Sequence, residues 1–246
     1  MIPNAIRRDI RPGGIMKASW KLLTAALLAG VLTSPAAAVP LIDWDPAYFY
    51  EPGATFDNSI PLSEMKIVGI ISAFGPPLAF LDATDPSKDY TFYISGLISN
   101  GTATIGPPAT EFYVTTYTGG TIEIYEGTPR DAVFDPNPPN ANVPSTFTNG
   151  TLILSGTISN FFSQTNNFSA NMTGNAEGDI TWTGGTLIGY VGGEANPCPG
   201  LFTGGMTWLP SVNIPGYLFR HDGKIDHECP TPTRTSTWGR MKALYR

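Results

Sequence analysis

Histidine and cysteine are scarce in this chain, at two residues each among 246. The signatures that announce catalytic chemistry locally are missing: there is no G-x-S-x-G, H-E-x-x-H, C-x-x-C, P-loop or G-x-G-x-x-G. A serine triad would need one of the two histidines, and no local signal marks its serine. No stretch sustains a 3.6-residue apolar period with caps, so a helical bundle is excluded. The longest apolar run, MKIVGIISAF over residues 65–74, is far too short for a membrane-spanning helix.

Positive charge is missing where a nucleic-acid binder would need it. Of 14 basic residues, five precede Val39 and four follow Thr233. Between them only Lys66, Lys88, Arg130, Arg220 and Lys224 face 19 acids, a net charge of about −14. That disfavours nucleic acid and anionic lipid as partners of the body and favours solubility and cation binding.

The first 38 residues read as a secretory leader. Lys17 and Lys21 form a basic start, residues 22–32 an apolar stretch of eleven, and Ala36-Ala37-Ala38 an A-x-A site with cleavage after Ala38. Translation from Met1 and from Met16 both stay open. The expected organisation is an N-terminal extension and signal peptide over residues 1–38, one β-domain over 39–229, and a linker with a basic tail over 230–246. The mature chain is expected to carry no transmembrane segment. In an oxidising compartment the cysteine pair Cys198 and Cys229 reads as one disulfide. Its loop of about 32 residues would contribute roughly 3–4 kcal/mol.

What the chain has in abundance is turn and strand chemistry. A six-residue signal recurs four times: residues 117–122 (YTGGTI), 147–152 (FTNGTL), 182–187 (WTGGTL) and 202–207 (FTGGMT). Gly-Gly and Asn-Gly accept the positive φ of tight hairpin turns, and aromatic and Thr residues favour a pleated surface. Hairpins or bulged strand starts are therefore expected at all four, the clearest hairpin being 111–118 with 121–126. The spacings of 30, 35 and 20 residues are too uneven for a solenoid or propeller. Further strands are expected over 65–74, 90–97, 151–161, 168–173, 179–183 and 186–191, with turns at Asn100-Gly101 and Gly174-Asn175. Residues 128–144 hold five prolines, which excludes a central strand. The fold class is all-β, a single antiparallel β-sandwich, jelly roll or barrel of about ten strands.

Candidate ligating residues are few. His221, Asp226 and His227 lie in the densest run of possible metal ligands, H-D-G-K-I-D-H-E over residues 221–228. The structural alternative is a hairpin with Asp222-Gly223 at its tip. Asp135, Asn137, Asn140 and Asn142 alternate oxygen ligands in the proline-rich loop, and Asp82, Asp85 and Asp89 form a similar set; calcium or another divalent ion is the cofactor either would take. A rigid surface loop and a plain turn explain these equally well. Trp44, Tyr48, Tyr50, Trp182 and Trp208 would make a sugar platform if exposed. Trp238, Met241 and Tyr245 recur along the basic tail at spacings of three and four, the pattern of a short amphipathic end that docks on a surface or a sorting partner.

The tail T-S-T-W-G-R-M-K-A-L-Y-R resembles the W-G-x-x-K-x-x-Y-R ending of assorted exported bacterial proteins. Residues 85–92, 117–126 and 147–156 are similar to stretches in secreted bacterial β-proteins, some of which carry PEP-CTERM sorting tails. This chain departs from that pattern, with no Pro-Glu-Pro and no apolar helix before its basic end. The resemblance implies an exported bacterial β-protein and transfers no catalytic residue. The expected function is a secreted or cell-surface, non-enzymatic β-domain with a structural or matrix role, with carbohydrate or another envelope component as partner. The alternative is a secreted hydrolase using carboxylates or the His221/His227 segment.

Overall fold

The computed structural model describes residues 40–135, 139–166, 172–192, 198–209, 211 and 213–227. They fall in one compact unit, Val39–Arg246. The strands are β1 (Pro40–Tyr50), β2 (Glu64–Phe74), β3 (Asp89–Ile105), β4 (Phe112–Thr118), β5 (Thr121–Gly127), β6 (Thr151–Asn166), β7 (Met172–Gly184), β8 (Gly200–Trp208) and β9 (Phe219–His227). Two four-residue helices interrupt them, α1 (Ser145–Thr148) and α2 (Ile188–Val191).

The strands close into an antiparallel barrel. β1 lies between β2 and β9, β2 pairs with β3, and β6, β7, β8 and β9 follow in order. β4 and β5 together fill the place between β3 and β6. Along β3, Asp89 to Ser95 face Gly127 to Thr121, and Ile98 to Ile105 face Thr118 to Phe112. β6 meets the same two segments in the same order. Residues 112–127 are thus one wall strand kinked at Gly119-Gly120, where φ is 74° and 115°, and the barrel has eight wall positions. Of the sandwich, jelly-roll and barrel alternatives, the closed barrel is the one formed.

The expected hairpin at 111–126 is therefore corrected: its two arms run end to end. The other copies of the six-residue signal also differ in role. The second crosses from α1 into β6 and is a strand start, the third ends β7, and the fourth lies wholly inside β8, paired on both sides. The fourth copy shows why. A Cβ on Gly204 would sit 2.6 Å from His221 Cε1 and 2.5 Å from Gly223 Cα. Glycine is there because the barrel interior has no room, not because the chain turns. Asn100-Gly101 and Gly174-Asn175 likewise lie within strands, and 186–191 ends in α2 rather than a strand.

Alternation explains the wall. On β9, Phe219, His221, Gly223 and Ile225 are buried while Arg220, Asp222, Lys224 and Asp226 face outward. Asp222-Gly223 is mid-strand, so the hairpin expected there does not exist. Trp44, Phe49, Phe92, Phe161 and Phe202 fill the interior, each at most 1% exposed. Each such aromatic contributes about 2–3 kcal/mol by burial alone. The loop 75–88 and the α2 segment close one end, with Leu78 and Val191 fully buried. Residues 51–63 close the other, where Thr165 Oγ1 donates to the Phe56 carbonyl.

The proline-rich segment is more than a surface loop. It straps the outside of β1–β2–β3 and makes a second core from Tyr48, Val68, Ala141, Phe147 and Tyr217. Asp89 anchors its start by accepting the amides of Asp131 and Ala132.

Candidate functional site

Three residues expected to compete for a metal lie on one strand but do not converge. His221 points into the barrel, Asp226 points outward to Lys224 at 2.8 Å, and His227 hydrogen-bonds the Val191 carbonyl at 3.1 Å. The two imidazoles, six residues apart at about 3.4 Å per residue, are separated by roughly 20 Å. No group of three His, Cys, Asp or Glu side chains able to hold a metal occurs among the described residues.

His221 is instead a neutral core residue. Its ring stacks on Phe202 (centroids 5.2 Å, 12°) and lies against Phe49 and Trp44. Trp44 Nε1 donates to Nδ1 at 3.0 Å, so the proton sits on Nε2. Burial pushes its pKa down to about 3, against a weaker opposing effect of the Gly204 carbonyl. Nε2 has no hydrogen-bond partner of ordinary geometry among the described residues.

The other candidates have been put to separate uses. Asp82 and Asp85 each close a turn, accepting from the backbone and hydroxyl of Thr84 and of Ser87. Asp89 is buried under the strap. Asn140 is buried too, its Oδ1 accepting from the Asp135 amide and the Tyr217 hydroxyl. Asn137 lies outside the described residues. The supposed sugar platform is not one: Trp44, Tyr48 and Trp182 are buried, and Tyr50 and Trp208 are half-buried against the two cores. Cys198 is buried. Cys229, the Ala38 cleavage site and the tail lie outside the described residues.

The site that sequence reasoning missed lies where the wall is defective. Three neighbouring strands break register close together: β3 at Asn100-Gly101, β4–β5 at Gly119-Gly120, and β6 at Asn160-Phe161, with Asn160 at φ 53°. Bulges re-aim side chains and leave gaps in a sheet surface. Two outward grooves result. One of about 680 Å³ is lined by Thr116, Thr118, Gly119, Ile158, Asn160 and Phe162, among others. One of about 550 Å³ is lined by Ser59, Pro61, Asn100, Thr102, Ala103 and Ile105, among others. Val114 and Thr116 form the ridge they share. Asn100 spans that ridge, donating to Thr116 Oγ1 and accepting from Thr118 Oγ1, both at 3.2 Å. Asn160 Nδ2 donates to Asp179 at 2.7 Å.

Behind both grooves sits Glu51, only 5% exposed. Its Oε1 accepts from Ser59 and Ser63, and its Oε2 from Tyr117 at 3.1 Å. Ser59 also meets Ser99 Oγ at 2.5 Å, and its amide donates to Thr102 Oγ1 at 2.7 Å. Burial and the Glu51 charge push the Tyr117 hydroxyl well above its ordinary pKa, so it stays a donor. Ser59 lines one groove and Tyr117 the other, so a single carboxylate orders hydroxyls at both. These residues come from β3, β4 and the 51–63 loop, and nothing local in the sequence marks them as a site.

No protein-family model, curated protein or solved structure matches the chain.

Proposed function

We propose that this chain is an exported, non-enzymatic barrel module with a surface or matrix role, holding a neutral carbohydrate along the β3–β4–β6 wall. The observation that carries the reading is the chemistry of the two grooves. Their linings combine hydroxyls, amides and apolar surface and include no Asp, Glu, Lys, Arg or His. On a body of charge about −14, that uncharged stretch favours a neutral polyhydroxylated ligand over an ionic one. Export is supported by the leader-like residues 1–38. Along β7 and β9 the side chains alternate apolar inward and polar outward, the reverse of a barrel that spans a bilayer.

The test is retention on neutral polysaccharides by affinity electrophoresis. Thr116→Val with Asn160→Ala removes two polar groups at about 0.5–1.5 kcal/mol each, weakening binding roughly five- to a hundredfold. Equal retention of wild type and variant, or retention only on charged polymers, would overturn the proposal. The Ser59–Glu51 contact beside an open groove supports a second reading, a carboxylate-assisted hydrolase. Turnover of a glycan or ester that is abolished in Glu51→Gln, at unchanged binding, would establish it.

A further inference from the structure

The end of the barrel opposite the 51–63 loop carries an aromatic pair that its own packing does not require. Phe80 and Tyr190 are 56% and 53% exposed, yet their rings lie against each other, tilted by 44° with centroids 4.9 Å apart. Phe80 lies in the loop 75–88 and Tyr190 in α2, so two segments distant in sequence present one aromatic surface. Asp82 and Asp85 follow Phe80 in the same loop, each held in place through Oδ1 by its turn. An aromatic surface beside fixed carboxylates suits a ligand that brings both apolar groups and cations.

The chain supplies such a segment at that place. His227, the last described residue, bonds the carbonyl of Val191, next to Tyr190. The described chain therefore ends beside the pair, and residues 228–246 follow it in sequence. They contain Arg234, Arg240, Lys242 and Arg246 with Trp238, Met241 and Tyr245, and the barrel they follow is strongly acidic. Trp238 lies eleven residues on, a reach of up to about 36 Å. We propose that the basic tail, residues 234–246, docks back on the Phe80–Tyr190 surface of its own barrel, with its cations beside Asp82 and Asp85. Docking would hold the tail off other surfaces until a partner displaced it. The inference is independent of the wall grooves.

The experiment uses the full chain labelled with 5-fluorotryptophan, with Trp238→Phe to assign the Trp238 fluorine resonance. The reference shift is that of a free peptide of residues 234–246. Docking predicts a displaced, broad Trp238 signal that moves to the free-peptide position in the double variant Phe80→Ser, Tyr190→Ser, and in high salt. The docked-to-free ratio should fall at least about fivefold in the variant. Both substituted side chains are exposed, so the other tryptophan resonances report that the barrel stays folded. A Trp238 signal at the free-peptide position in the wild type overturns the proposal, as does a displaced signal the double variant leaves unchanged. A free signal that broadens only with anionic vesicles also overturns it and makes the tail a membrane-surface element.

Discussion

Replacing His221 with Asn should remove most of one proton from the acid unfolding of this protein. In the folded barrel the imidazole is held neutral, with its pKa at about 3 against an ordinary 6.5. The unfolded chain therefore binds a proton that the folded chain refuses, throughout the range between those values. Stability falls as pH drops through that window, by at most about 1.4 kcal/mol per unit. Over the whole window this approaches 5 kcal/mol, and between pH 7 and pH 5 it is about 2 kcal/mol. Keeping above pH 5 avoids most carboxylate titration. An Asn side-chain oxygen can still accept from Trp44 Nε1 but does not titrate. His221→Asn should cost about 1–3 kcal/mol at pH 7 for the smaller side chain. It should also lose about 2 kcal/mol less than wild type on going from pH 7 to pH 5. Urea unfolding of both proteins at the two pH values gives the double difference, and His227, common to both, cancels. Equal losses in the two proteins would refute the assignment of a neutral, sealed imidazole.

The remaining predictions address the wall, the loop and the cysteines. Glu51→Ala removes the buried carboxylate that the hydroxyls of Ser59, Ser63 and Tyr117 share and should destabilise the chain by about 3 kcal/mol or more in urea melts, with Glu51→Gln costing less. Gly204→Ala should cost at least about 2 kcal/mol, because its Cβ meets His221 and Gly223, whereas Gly205→Ala, with nothing within 4 Å of its Cβ, should change the melting temperature little. Intact mass of material recovered from native cells and medium should show cleavage after Ala38 and the loss of two hydrogens for a Cys198–Cys229 bond. A reduced mass, or an intact leader on medium protein, would refute that expectation.

Much of the strand content was legible from residues alone. The β-branched run at 65–74 became β2, the alternation at 90–97 became the first half of β3, and the proline density at 128–144 kept that segment out of the sheet. These features depend on local backbone preference and on a period of two, which any short window contains. Residues 40–50 became β1, a full wall strand, which is fixed on one side by β9, some 180 residues away.

The roles of the glycines and the location of the grooves were decided only by the tertiary structure. Gly119-Gly120 and Gly204-Gly205 read alike in sequence. One bends a wall strand and the other leaves space for His221, and the difference lies in what strand sits opposite. The same holds for His221 itself, a plausible metal ligand by composition and a neutral core residue once Trp44, Phe49 and Phe202 surround it. Glu51 and Asn160 carry no local pattern, and Asn100 and Tyr117 read only as turn and strand chemistry, since closing the barrel is what brings their strands together. Composition and short-range periodicity determined that the chain is all-β and acidic. Which side chains face inward, which meet, and where the wall opens depended on register between strands up to some 180 residues apart, which no local window encodes.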